Sequence, residues 1–274
     1  MSTLILADKL GPRGRRRVRL LSLIAYAAFA VVVVLVVRRF DSRGQLLWSK
    51  WNFITDQKLM RFLLRGLRDT LTAALVAMAI ALLLGALGAY FRLSPSKPLR
   101  VVAIGVVELL RATPLVLLIY FMGQFIPRYG TELGSYWYLV IGLAAYNSAV
   151  IAEIFRAGVN SLPRGQREAG LTIGFTEGEV LRRILFPQGV RRMVPALVNQ
   201  LVTLLKDSSL GALVLLPAVN DLLHQGKVLG EFKKNPLQVY IVVALMYVIT
   251  NFALSQVAAY LERRRSGDLR SEPR

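Results

Sequence analysis

Two apolar stretches of this sequence carry charges that a lipid-facing helix would exclude. The first, VVAIGVVELLRATPLVLLIYFMGQFI, holds Glu108 and Arg111 three residues apart, hence on one helical face. Pro114 removes the hydrogen bond to the Leu110 carbonyl and disfavours helix at Thr113, so a break is predicted beside the two charges. The second, VPALVNQLVTLLKDSSLGALVLL, sets Asn199 and Thr203 four apart, with Lys206 and Asp207 three and four residues further on. These four make one polar stripe on an otherwise apolar helix, and the stripe must face protein or water. Lys206 and Asp207 are consecutive, about 100° apart around the helix, and pair poorly along it. Ser208 and its neighbours in DSSLG supply hydroxyls and a glycine, a composition that loosens a helix where backbone groups line a site.

Ionisable groups inside a membrane are costly, so pairing, a watery cavity or a functional role is the default expectation. A path bearing both a cation and an anion suits a zwitterion, whose carboxylate and ammonium each need a partner; free amino acids fit. The candidates for such a path or its supports are Glu108, Arg111, Thr113, Asn147, Asn199, Thr203, Lys206, Asp207 and Ser208. A plainer reading stays open at this point: an intrahelical Glu108–Arg111 pair and a structural network between helices. Asn147, beside Ser148 in AAYNSAVIAEIFRAG, has interhelical glue as its commoner role. Glu153 and Arg156 close that stretch.

The elements that must hold these groups are membrane helices. Of the 274 residues 55% are hydrophobic, with a mean hydropathy of +0.50. Charge-poor blocks occupy 20–37, 71–91, 101–126, 137–152, 194–216 and 238–258, and a bilayer core needs about 17 to 25 residues of helix. Six crossings in an all-α polytopic bundle follow, because only helices of this length satisfy their own backbone in hydrocarbon. Ala81, Gly85 and Ala89, four apart, allow a neighbouring helix to approach closely. There is no cysteine, hence neither disulfide nor thiolate metal site, and no metal site is expected. His224 falls in a predicted outer loop without a second ligand nearby.

The net charge of +19 reports orientation more simply than it reports nucleic acid, for which no groove-reading motif is present. With the N-terminus in the cytoplasm, segments on that side hold 21 Lys and Arg against 12 outside. Eight of the 12 fall in 38–70, where Trp48, Trp51 and Phe53 mix with charge, as in an amphipathic segment resting at the interface. RGRRRVR followed by apolar residues also resembles a secretory signal, but VVRRFDSRG lacks the small-residue cleavage site, so an uncleaved first helix is expected. The organisation read from these features is 1–65 for a basic segment, an extra helix and the interfacial stretch, 66–262 for a five-helix core, and 263–274 for a cytoplasmic basic tail.

Residues 153–193 form the longest polar interval on the cytoplasmic side. Gln166 to Ile173 is helix-compatible with Gly174 as its C-cap. Thr176 and Glu179 form a capping box that starts a second helix, which Pro187 is expected to end. Two short helices turned about a glycine make a knob suited to a cytoplasmic partner, since loops of this length without a function are uncommon.

EAGLTIG followed nine residues later by ILFP resembles the EAA signature of ATP-binding-cassette (ABC) importer permeases. Glu168, Ala169, Gly174, Ile184 and Pro187 match; Gly170 stands for the third-position alanine, where it could soften the first helix, and Phe186 for a leucine. GLRDTL, ELLRATPL, AEIFRAGVNSLPRGQREA and LLKDSSL narrow the resemblance to the polar amino-acid branch, glutamate-type permeases of actinobacteria above all. The resemblance implies a multi-pass subunit of the bacterial cytoplasmic membrane, with both termini in the cytoplasm. It would pair with a second, homologous or identical permease, sit on two ATPase subunits and receive substrate from an extracytoplasmic binding protein. Coupling would run through Arg167, Glu168, Ala169, Gly170, Gly174, Arg182, Arg183 and Pro187. No GxxxxGK[ST] loop is present, so ATP and Mg are expected in the partner ATPase and no cofactor in this chain. The alternatives are an ion-gradient-driven carrier of a zwitterion, using Glu108 and Asp207 as proton or sodium sites, and a membrane-anchored assembly protein without transport.

Overall fold

The structure, a computed structural model, describes residues 11–130, 133–213 and 220–268, and every regular element among them is helical. It divides into two units, Met1–Thr55 and Asp56–Arg274. In the first, α1 (Pro12–Ser42) starts with proline at its first turn, where a missing N–H is harmless. Its apolar side chains are exposed all round, as expected of a helix whose solvent is lipid. A 3-10 turn, Trp48–Ile54, follows and buries Phe53. The expected interfacial stretch is therefore divided: from Gln57 onward it belongs to the next long helix, because the Asp56 carboxylate caps that helix through the N–H groups of Lys58 and Leu59.

The second unit begins with α2 (Gln57–Arg92), α3 (Lys97–Ala112), α4 (Leu115–Arg128) and α5 (Ser135–Asn160). Its core lies between α2 and α5. Ala77, Ala81 and Ala89 are completely buried, and the small side chains let the two backbones close up. A Cβ on Gly85 would lie 2.8 Å from the Ser148 carbonyl oxygen and 2.7 Å from Ile151. One on Gly88 would meet Ala152. The order of these contacts makes α2 and α5 parallel, so the chain between them must return across the layer.

That return is α3 and α4 together, which meet at 100°. Thr113 is extended (φ −82°, ψ 127°), the conformation a residue before proline prefers. The predicted single span 101–126 is thus two helices, and the proline that broke it also turns it. Val107 reaches Gly88 near the end of α2, although it lies ten residues into α3, so α3 crosses α2 obliquely. The α4–α5 seam is close as well: Ile119 is fully buried, and its Cα stands 2.8 Å from where a Gly142 Cβ would be.

The rest of the unit comprises α6 (Arg164–Thr172), α7 (Glu177–Val180), a π-turn (Leu181–Leu185), α8 (Phe186–Arg192), α9 (Val194–Asp207), α10 (Leu210–Leu213), α11 (Leu222–Lys233) and α12 (Pro236–Asp268). Among the described residues, four helices (α1, α2, α5, α12) are long and apolar enough to cross a membrane, and the bent pair makes a fifth. The sixth expected crossing starts as α9, only 14 residues long, and its remainder at 214–219 lies outside the described residues. Residues 269–274 of the expected tail lie outside them too.

Helix α11 corrects the loop expected around His224. Asp221 caps it by accepting the His224 N–H, and Lys234, in the left-handed region at φ 55°, turns the chain directly into α12. It is wedged between α2, where Gly66 meets Gln225 and Leu222, and α12, where Gly226 meets Val243.

Gly85→Leu is expected to lower the thermal midpoint in detergent by several degrees, for an overpacking cost of about 1–3 kcal/mol. Gly105→Leu, with nothing within 4 Å of its Cβ, should leave the midpoint unchanged. Scanning fluorimetry of the two purified variants checks this.

Candidate functional site

The charges at the α3 break belong to a five-member cluster drawn from three helices. Glu108 and Arg111 make the expected pair on α3, with Arg111 Nη1 3.5 Å from Glu108 Oε1. Glu153 and Arg156 make the equivalent pair on α5, where Arg156 donates from Nε to both carboxylate oxygens at 3.0 and 3.1 Å. Between them stands Arg92, the last residue of α2, with its Nη2 3.1 Å from Glu108 Oε1 and its Nη1 3.1 Å from Glu153 Oε2. Its side chain is only 9% exposed, against 53% for Glu108 and 40% for Arg111. Glu108, Arg111, Tyr146, Val150, Glu153 and Ala157 line a cleft of about 510 Å³. Three cations face two carboxylates, and the least engaged cation, Arg111, borders the cleft. Thr113, next to it, turns its hydroxyl back to the Leu109 carbonyl at 2.8 Å.

The second polar group lies elsewhere. On α9, Leu197, Leu204 and Leu205 face the core, while Asn199, Thr203 and Lys206 are exposed along one side. Asp207 is half-buried and Ser208 fully buried, its hydroxyl donating to the Leu205 carbonyl at 2.7 Å. The helix stops at Asp207 and resumes at Leu210, an interruption at the serines of DSSLG. Asn147 is completely buried on α5: its amide donates to the Leu143 carbonyl, and its oxygen accepts from Gln200 of α9 at 2.7 Å. Among the described residues, no ion pair or hydrogen bond joins the Glu108 cluster to Lys206 or Asp207. Arg92 and Gln200 are the members that sequence reading missed. Each makes its contact across a long sequence separation, and only the basic end of an apolar run hinted at Arg92.

The knob is built from local signals. Helix α6 ends in a Schellman motif: Gly174, at φ 89°, donates to the Leu171 carbonyl, and Phe175 to that of Gly170. Thr176 and Glu179 close the reciprocal capping box, and both contacts from Thr176 hold the Glu179 carboxyl below its ordinary range. Arg167 pairs with Glu177 across the turn, which raises the guanidinium's pKa. Gly170 is buried, and a Cβ there would lie 2.8 Å from both Ile184 and Val180, so its smallness serves helix contact rather than softness. Glu168, Ala169, Arg182 and Pro187 are exposed, and Arg183 lies over the Phe175 ring at 5.4 Å.

Pro187 does not end the second helix. The turn before it widens to a π-turn, with the Phe186 N–H reaching the Leu181 carbonyl, and α8 continues with Pro187 in its first turn. The widening removes the need for the N–H that proline lacks. It also aims Phe186 between Tyr90 of α2 and Phe155 of α5, with ring centroids 6.0 and 6.1 Å away.

Membrane-length helices, a charged cleft and a capped knob projecting between two of them define a polytopic membrane transport component. Residues 81–267 match the family described as binding-protein-dependent transport system inner membrane component, and the chain belongs to that family. It is 36% identical over 235 residues to the glutamate transport system permease protein GluD of Corynebacterium glutamicum, covering 84% of this chain and 85% of that one. It is 32% identical over 206 residues to the glutamine transport system permease protein GlnP of Escherichia coli K12, covering 74% and 92%. Among solved structures, an amino acid ABC transporter with histidines superposes with a TM-score of 0.70 at 28% identity, over 77% of this chain and 98% of that one.

Apart from the cleft, Asp221 is 1% exposed, and burial pushes its carboxyl up to about 7 against the pull of the His224 N–H. The folded chain therefore keeps this proton where an unfolded one, with a pKa of about 3.9, has lost it. The resulting stability is fully present below pH ~4 and is lost as pH rises through about 7. Asp221→Asn keeps a capping side chain and is expected to flatten the dependence of the thermal midpoint on pH between about 4 and 7. Melting curves in detergent across that range check it.

Proposed function

We propose that this chain is the membrane-spanning subunit of an ATP-driven importer for an amino acid, glutamate or a close relative. The observation that carries the reading is the knob. Helix α6 buries only Gly170 and presents Glu168 and Leu171 outward, and Ile173, just after it, is 70% exposed. An exposed apolar tip beside Arg164 and Glu168 on a firmly capped turn is a docking surface for another protein. Two ATPase subunits take it in grooves of their own and supply ATP and Mg. A second permease, identical or homologous, completes the pore, and an extracytoplasmic binding protein delivers the substrate.

The relatives named for glutamate and glutamine transport support an amino-acid substrate. Such a substrate presents a carboxylate and an ammonium, and the path offers partners for both. Arg111, short of a full partner, and Lys206, exposed on α9, receive carboxylates. Glu108 and Asp207 face the ammonium or hold the cations apart. Asn199, Thr203 and Ser208 line or support the α9 side, while Asn147 ties α9 to α5 through Gln200. Alternating access follows when closure of the ATPase pair moves both knobs. The protein sits in the cytoplasmic membrane with the knob and both termini in the cytoplasm.

Purified from its host, the chain should bring an ATPase with it, and Gly174→Pro should lose that ATPase, because proline cannot adopt a positive φ. A chain that takes up glutamate without any ATPase would be a gradient-driven carrier instead. Within the intact complex, Lys206→Ala is expected to weaken apparent glutamate affinity about tenfold, the scale of one charge-assisted contact. Uptake into membrane vesicles measures it, and unchanged uptake removes Lys206 from the path.

A further inference from the structure

Among the described residues, the ion pairs that join different helices of the membrane bundle are the two that meet at Arg92; the other inter-helix pair, Arg167–Glu177, lies within the knob. The Glu108–Arg111 and Glu153–Arg156 pairs are each internal to one helix and survive any rigid movement of that helix. The two ion pairs of Arg92, a hydrogen-bonded one to Glu108 and a charge contact to Glu153, survive only while the ends of α2, α3 and α5 stay together. A planar guanidinium can meet two carboxylates from different directions at once, as an ammonium does poorly.

The same three-helix junction is where the knob presses. Phe186, the first residue after the π-turn, lies edge-on to Tyr90 at 88° and beside Phe155. Tyr90 is two residues from Arg92, and Phe155 two residues from Glu153. A displacement of Phe186 therefore acts on α2 and α5 where Arg92 spans them. Because the guanidinium is nearly buried, pulling it off both carboxylates without replacement is unfavourable, so the junction favours fully made or fully opened states over a partly opened one.

We propose that Arg92 is the positioning residue that converts movement of the knob into opening and closing of the Glu108–Glu153 cleft. The inference rests on the proposed importer function. When the knob holds Phe186 in its slot, Arg92 clamps the two carboxylates and fixes the cleft's width. When Phe186 shifts, the ends of α2 and α5 splay at Arg92 beyond their close-packed alanine and glycine seam, the clamp opens, and Glu108 is left with Arg111 alone.

The test uses the complete complex, with its ATPase and binding protein, reconstituted in liposomes, and measures glutamate accumulated per ATP hydrolysed. Arg92→Gln is expected to keep hydrolysing ATP while glutamate moved per ATP falls about tenfold, the effect of losing roughly 1.4 kcal/mol of coupling. Arg92→Lys, which retains the charge at a single point, should recover part of that ratio. A ratio equal to wild type in Arg92→Gln, or a proportionate fall in both rates, would overturn the proposal, since a merely structural residue changes yield and not stoichiometry. If Arg92→Gln does not assemble, Arg92→Lys alone decides: a lowered ratio supports the clamp and a wild-type ratio refutes it. Wild-type complex without ATP-dependent uptake would instead sink the importer reading, so the two failures are separable.

Discussion

A charge taken out of water must be matched by another charge, and in this protein that requirement holds the end of α2 against α3 and α5. Arg92 is nearly buried at the last position of α2, and neither of its carboxylate partners lies on its own helix. The end of α2 must therefore be beside the last third of α5 and beyond the middle of α3. Only an oblique α3 allows this, since an upright antiparallel neighbour would carry Glu108 too far along α2. The turn at Thr113 and Pro114 then becomes necessary, because the chain still has to complete its crossing as α4. One desolvated guanidinium thus goes with the tilt of α3 and marks the mouth of the cleft, while Pro114 makes the break.

Close packing supplies the frame against which these charges are held. Within a bilayer there is little hydrophobic gain from helix association, and contact depends on small residues that let backbones approach. The alanines and glycines of α2, with Gly142 on α5, do this along two seams. A rigid pair of parallel helices results, and α11, on α2 and α12, braces it from a different direction. The knob connects to that frame through α8, where Phe186 meets Tyr90 and Phe155 and where Gly189 packs closely on Gly158 and Val159 of α5.

What could be read in the sequence divides by range. The knob was almost fully legible, because a glycine at positive φ and a Thr–Glu capping box are local chemistry that works the same way in any fold. The long helices were legible from composition alone, and the break at Pro114 from one residue. Pro187 was misread as a stop, since the rule for proline assumes an α-helical turn before it and the chain widened that turn instead. Helix α11 was missed because it is short, polar enough to pass for a loop, and defined by packing on Gly66 and Gly226. The cluster was half visible: pairs at i,i+3 declared themselves, whereas the ion pair of Arg92 with Glu153 spans sixty-one positions and leaves no periodic trace. Gln200 stayed hidden for the same reason, being one amide in an apolar helix until Asn147 is placed beside it.

The bend between α3 and α4 has a further consequence, which concerns solvent. Pro114 has no N–H for the Leu110 carbonyl, and hydrocarbon cannot replace it. Backbone oxygens at the end of α3 therefore call for hydration, and the adjoining cleft is wide enough to admit water. A wetted pocket at the elbow would raise the local dielectric around Arg111 and shorten the dry distance a charged solute has to travel. The kink acts, in effect, as a thinning of the membrane.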